Sequence, residues 1–124
     1  MMHPPIFRTC VRSAAVVALL GSKPTRLYPF GEAPENVQLP YAVWQIIGGA
    51  PEHFLAGSPD IDSYALQVDV YATSAAIARA VGRALRDAIE TEACITRWGG
   101  EMREPNTRDY RLSFDLDWWT PRKP

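Results

Sequence analysis

The sequence predicts an α+β fold: a mainly antiparallel sheet of about four strands, with two helices packed on one face. Three observations carry this expectation. Ser63–Ala72 (SYALQVDVYA) alternates, with Tyr64, Leu66, Val68 and Val70 on one side and Ala65, Gln67, Asp69 and Tyr71 on the other. Tyr110–Trp119 does the same, setting Leu112, Phe114, Leu116 and Trp118 against Arg111, Ser113, Asp115, Asp117 and Trp119. Between them, Ile77, Val81, Leu85, Ala88 and Ile89 recur at helical spacing behind Thr73 and Ser74, either of which suits a helix N-cap.

The remaining elements follow in chain order. Pro4 and Pro5 fit a first helical turn, where the missing amide donor is not needed. Ile6, Phe7, Cys10, Val11, Ala14, Val17 and Ala18 then mark an amphipathic helix ending at Gly21, and Ser13 has the chemistry to cap a second short helix after a break near Arg12. Residues 22–40 carry four prolines and read as an irregular loop, with Arg26–Phe30 as a short edge strand. Tyr41–Gly48 is apolar on both faces, which suits an interior strand or one covered by a partner. Gly49–Asp62 breaks periodicity and reads as a long loop, a length that usually accompanies a role. Cys94–Arg103 is a strand with a bulge at Gly99-Gly100, joined through a turn at Glu104–Thr107 to the final strand in a hairpin. Residues 120–124 read as a short tail.

A chain of 124 residues fits a single domain, and a formal net charge of −1 disfavours a dedicated nucleic-acid binder. Cys10 and Cys94 both sit in apolar patterns and are expected to be buried reduced thiols. Ala14–Leu20 is far shorter than the roughly twenty residues that span a bilayer, and no A-x-A-type cleavage site follows it. A soluble cytoplasmic protein without a membrane partner is the expectation.

Chemistry-bearing motifs are scarce. His3 and His53 are the only histidines, and no metal-ligand spacing or phosphate loop is present. The expectation is no metal, no cofactor and no catalytic residue. Asp69, Asp115 and Asp117 share the face opposite the core if the two alternating strands are neighbours; without a cleft they form a solvent-facing acidic surface. Trp118 and Trp119 send one indole to each side of the sheet, and the outer one suits an interface.

Together, RLYPFGEAPENVQLPYAVWQ (Arg26–Gln45), SYALQVDVYA with the helix bearing ARAVGRALRDAI (Ala78–Ile89), and YRLSFDLDW (Tyr110–Trp118) resemble the tail-completion, or tail-terminator, proteins of long-tailed bacteriophages, prophages and gene-transfer particles. The resemblance implies a non-enzymatic structural protein of the virion tail at the head–tail junction, assembled in the host cytoplasm. It implies a ring of identical copies, a homohexamer, that meets the major tail-tube protein on one side and the head connector or stopper protein on the other. DNA passes through its channel. On that footing Trp44, Ile47, His53, Phe54, Leu55 and Trp119 are candidate interface residues, and Asp69, Asp115 and Asp117 candidate channel-facing residues, where like charge keeps DNA from sticking. Two other classes compete: a small ligand- or nucleic-acid-binding module, and an enzyme using the Glu52/His53 loop.

Overall fold

A computed structural model describes residues 4–52 and 61–121. The elements run α1 (Ile6–Val11), α2 (Ala14–Leu20), β1 (Leu27–Pro29), β2 (Tyr41–Glu52), β3 (Ile61–Ala72), α3 (Ala75–Ile89), β4 (Cys94–Arg103) and β5 (Tyr110–Pro121). The strands form one sheet in the order β1-β2-β3-β5-β4. Its pairings are antiparallel except for β1, which runs parallel to β2.

β3 lies at the centre, and its alternation sets the core. Tyr64, Leu66, Val68, Val70 and Ala72 are all buried. Rows form across the sheet: Val68 stands between Trp44 and Phe114, Leu66 between Ile46 and Leu116, and Val70 between Ala42 and Leu112. A slip of one residue would turn every one of these side chains outward, so the apolar rows hold the register. Each fully buried Leu, Val or Phe contributes about 1.5–3 kcal/mol.

The helices cover that face. Ser74 caps α3, its Oγ accepting from the Ile77 amide at 3.2 Å, and Ala78, Val81, Leu85, Ala88 and Ile89 point into the core. Gly82 faces β5, and a Cβ there would lie 3.1 Å from Leu112 Cδ2, so the helix rests almost directly on the strand. α1 and α2 pack against α3. The break between them falls where Ser13, in extended conformation, accepts from the Val16 amide at 3.3 Å. Arg26 ties down the irregular segment 22–40: its Nε donates to the Pro40 carbonyl at 2.9 Å and its Nη2 to the Leu19 carbonyl at 3.2 Å. No helix among the described residues is long and apolar enough to cross a membrane.

The fold class stands, with five strands rather than about four and three helices rather than two among the described residues. The expected loop Gly49–Asp62 is shorter than its composition suggests. The β2–β3 ladder continues through Gly49↔Tyr64, Ala50↔Ser63, Pro51↔Asp62 and Glu52↔Ile61. Backbone pairing does not require side-chain alternation, and β1 pairs β2 only at Ala42–Trp44, so Pro51 lies on an edge where its missing donor is tolerated. The tail likewise begins later than residue 120, because β5 continues through Pro121 and Thr120 is buried. Cys94 is exposed, contrary to expectation, because it opens an edge strand; Cys10 is buried as expected, and both are free thiols. Ile77 is also exposed, its place in the buried stripe taken by Ala78.

Candidate interface on the open sheet face

The helices occupy one face of the sheet, and the described residues place no helix on the other. This open face carries Tyr41, Val43 and Gln45 from β2; Ala65, Gln67, Asp69 and Tyr71 from β3; and Arg111, Ser113, Asp115, Asp117 and Trp119 from β5. The edge strand β4 adds Cys94 and Arg97, which pair with Asp117 and Asp115, and Met102, which pairs with Arg111.

The three aspartates do share this face, as the alternation predicts, but they are not alike. Asp69 is only 7% exposed. Its Oδ1 accepts from Gln67 Nε2 at 3.2 Å, from Arg111 Nη2 at 3.4 Å and from the Ser113 hydroxyl in a short contact. Arg111 also pairs with Glu104 at 3.5 Å and donates to Met102 Sδ at 3.7 Å. Burial acts against the Arg111 charge, yet Asp69, Tyr71 and Glu104 outweigh it and raise its pKa. Asp115 pairs with Arg97 at 3.5 Å across the hairpin, and Asp117 has no ion-pair partner among the described residues. Four carboxylates, Asp69, Glu104, Asp115 and Asp117, therefore face two guanidinium groups, and the surface keeps a net negative charge.

Tyr41 and Tyr71 stack with centroids 4.9 Å apart at the upper end of the face. Burial first, then the carboxylates of Asp109 for Tyr41 and of Asp69 for Tyr71, raises both phenol pKa values, so both rings stay neutral. Beside Ser113, Gly99 and Gly100 leave a depression of about 240 Å³ between Arg97, Arg111 and Asp115. Gly100 has φ +117°, a conformation that favours glycine. These groups can hydrogen-bond and pair with charge. The Ser113 hydroxyl donates to the Asp69 carboxylate, while His3 and His53 lie outside the described residues.

The candidate interface residues scatter. Trp119 is 45% exposed on the open face, while Trp118 is buried in the core. Ile47, 48% exposed, is the unpaired residue of a bulge between Ile46 and Gly48. Trp44 lies on the helix-covered face, packed against the core, with its Nε1 buried and unpartnered among the described residues. His53, Phe54 and Leu55 fall outside the described residues. Sequence reasoning missed Arg111 and Ser113 as the groups that hold Asp69, and it missed Phe30, the most exposed large apolar residue among the described residues at 72%. The signal for Phe30 was its place before Gly31 in a Pro-Phe-Gly turn.

Residues 4–121 match the model of a family described as tail completion protein gp17. Among solved structures, a chain of the "Virion of native gene transfer agent (GTA) particle" superposes with a TM-score of 0.70 at 16% identity, covering 94% of this chain and 91% of that one. At that identity the likeness is one of fold. No curated protein matches the chain.

Proposed function

This chain belongs to the tail completion protein gp17 family, and from that premise we propose that it closes into a ring, a homohexamer, that ends the tail tube and joins it to the head. It is a structural component of a phage-type virion tail. The observation that carries the reading is the match over residues 4–121, which takes in every helix and strand of the described residues.

The architecture suits such a ring. A head-to-tail interface needs two different patches on each copy and closes when the rotation divides the circle. Here one sheet ends on opposite sides in unlike edges, the three-residue β1 and the ten-residue β4. The major tail-tube protein and the head connector or stopper are the proposed partners, and DNA passes through the channel. Ile47 and Trp119 offer exposed apolar contacts; His53, Phe54 and Leu55 stay proposed as docking residues on their chemistry alone. The role is assembly rather than catalysis.

The test is tail length. Tube protein polymerised with this chain should give capped tubes that join heads, and particles lacking it should carry tubes of uncontrolled length without heads. Unchanged tube lengths and unchanged head joining in its absence would end the reading.

A further inference from the structure

Phe30 sits at the tip of a tight turn at the β1 edge of the sheet. The Glu32 amide donates to the Pro29 carbonyl at 3.0 Å, and Gly31 supplies the positive φ of 78° that a type II turn needs at its third position. Buried Leu27 and the pairing of β1 with β2 anchor the turn. A ring of this size held out in water by a fixed turn carries its apolar area without the entropic cost of ordering a loop on binding. Glu32 and Glu35 flank it, both exposed and neither paired with a cation among the described residues.

At the opposite edge, the start of α3 and strands β4 and β5 enclose a groove of about 290 Å³. Ala75, Ala78, Leu112, Met102 and Tyr110 give it apolar walls, and the two alanines keep the mouth wide. Arg79 and Glu101 form a two-pronged pair across the rim, at 2.7 and 2.9 Å, which bridges α3 to β4. Arg103 lies 4.7 Å over the Tyr110 ring, donates to the Arg108 carbonyl and has no carboxylate partner among the described residues. The rim thus offers an unmatched guanidinium beside a space that takes one aromatic ring.

The turn and the groove are complementary in shape and in charge, and the sheet order puts them on opposite sides of the molecule. Along the strands the two are offset: Pro29 is in register with Trp44, Val68 and Phe114, and the groove residues Leu112 and Tyr110 lie two and four residues from Phe114 along β5, about 7 and about 14 Å. A turn and groove on the same side would give a paired dimer; on opposite sides they give a head-to-tail contact.

We propose that the Phe30 turn of one copy inserts into the α3–β4–β5 groove of the next, with Phe30 as the apolar anchor and Glu32 or Glu35 meeting Arg103. The inference rests on the ring reading, since it names the contact that closes the ring. The partner is a second copy of this chain.

The test compares wild type with Phe30→Ala, Arg103→Glu and the exchange Glu32→Arg/Glu35→Arg/Arg103→Glu, by sedimentation in solution and by binding to purified tail tubes. The substituted groups are exposed or partly so, and thermal unfolding checks that each variant stays folded. Phe30→Ala should weaken self-association at least ten-fold, Arg103→Glu should weaken it similarly, and the exchange should recover most of the loss. If wild type assembles and Phe30→Ala assembles equally well, the contact is wrong and the ring reading survives. If the exchange gives no recovery over Arg103→Glu, the charge pairing is wrong. If wild type assembles neither alone nor on tubes, the ring reading falls and takes this contact with it.

Discussion

Asp69 is buried on a face that carries no helix, and the cause is the length of its neighbours. Gln67 and Arg111 reach its carboxylate, and Ser113 stands directly opposite in the register. That the three aspartates share a face was legible from alternation alone. That Asp69 is buried and Asp117 is not depended on which β5 residue meets which β3 residue, and that is settled only when the strands pair. Removing one partner of a buried ion pair costs about 3–5 kcal/mol; because Arg111 keeps some solvent, Arg111→Ala should cost about 2 kcal/mol in urea unfolding. The double change Asp69→Val/Arg111→Val should cost less than Arg111→Ala, since the buried Asp69 charge is then not stranded and Glu104, which also loses Arg111, is partly exposed to water. Cys10 makes a second residue-scale case. Burial lifts its thiol pKa from 9.0 to about 12. The folded state thus holds the proton more tightly than the unfolded one, so the contribution is complete below pH 9 and declines as pH rises toward 12. Cys10→Ala should flatten the fall in melting temperature across that window. An unchanged slope would place the alkaline transition elsewhere, with Tyr41 and Tyr71 as the next groups to ionise.

At the scale of elements, α3 shows how far a local pattern reaches. Its spacing predicted a helix capped by Thr73 or Ser74, and it is Ser74 that caps it; Ser74→Ala should cost about 1 kcal/mol in thermal unfolding. The pattern gave no sign of why Gly82 sits in the helix interior, where glycine costs up to about 1 kcal/mol relative to alanine. The reason is the neighbour: Leu112 leaves 3.1 Å for a Cβ. Gly82→Leu should push α3 off β5 and cost about 1–3 kcal/mol, whereas Gly82→Ala sets a propensity gain against a tight contact. A variant Gly82→Leu as stable as wild type would show that the helix shifts freely. The hairpin β2–β3 was misjudged for the opposite reason. Composition suggested a loop from Gly49, but the strands continue to Glu52 and Ile61 because the ladder is made by backbone groups.

For the whole molecule, the chain carries its own probe of where the helix-free face lies in the assembled tail. Cys94 is exposed at the start of β4, paired opposite Asp117 on that face, while Cys10 is buried and silent. Arg97 and Arg111 pair with two of the three aspartates, but Arg111 also serves Glu104 and Asp117 has no ion-pair partner among the described residues, so the face keeps a net negative charge. A wall of net negative charge repels phosphates, which keeps DNA from sticking as it passes. Thiol labelling separates the possible locations. In the free chain, Cys94 should react with both a small alkylating reagent and a bulky polymer-linked maleimide. In DNA-free tails, a channel-lining position should admit the small reagent and exclude the bulky one. Reaction with both would put the face on the outer wall and end the channel proposal; exclusion of both would place β4 within a contact between copies, next to the groove proposed to receive Phe30.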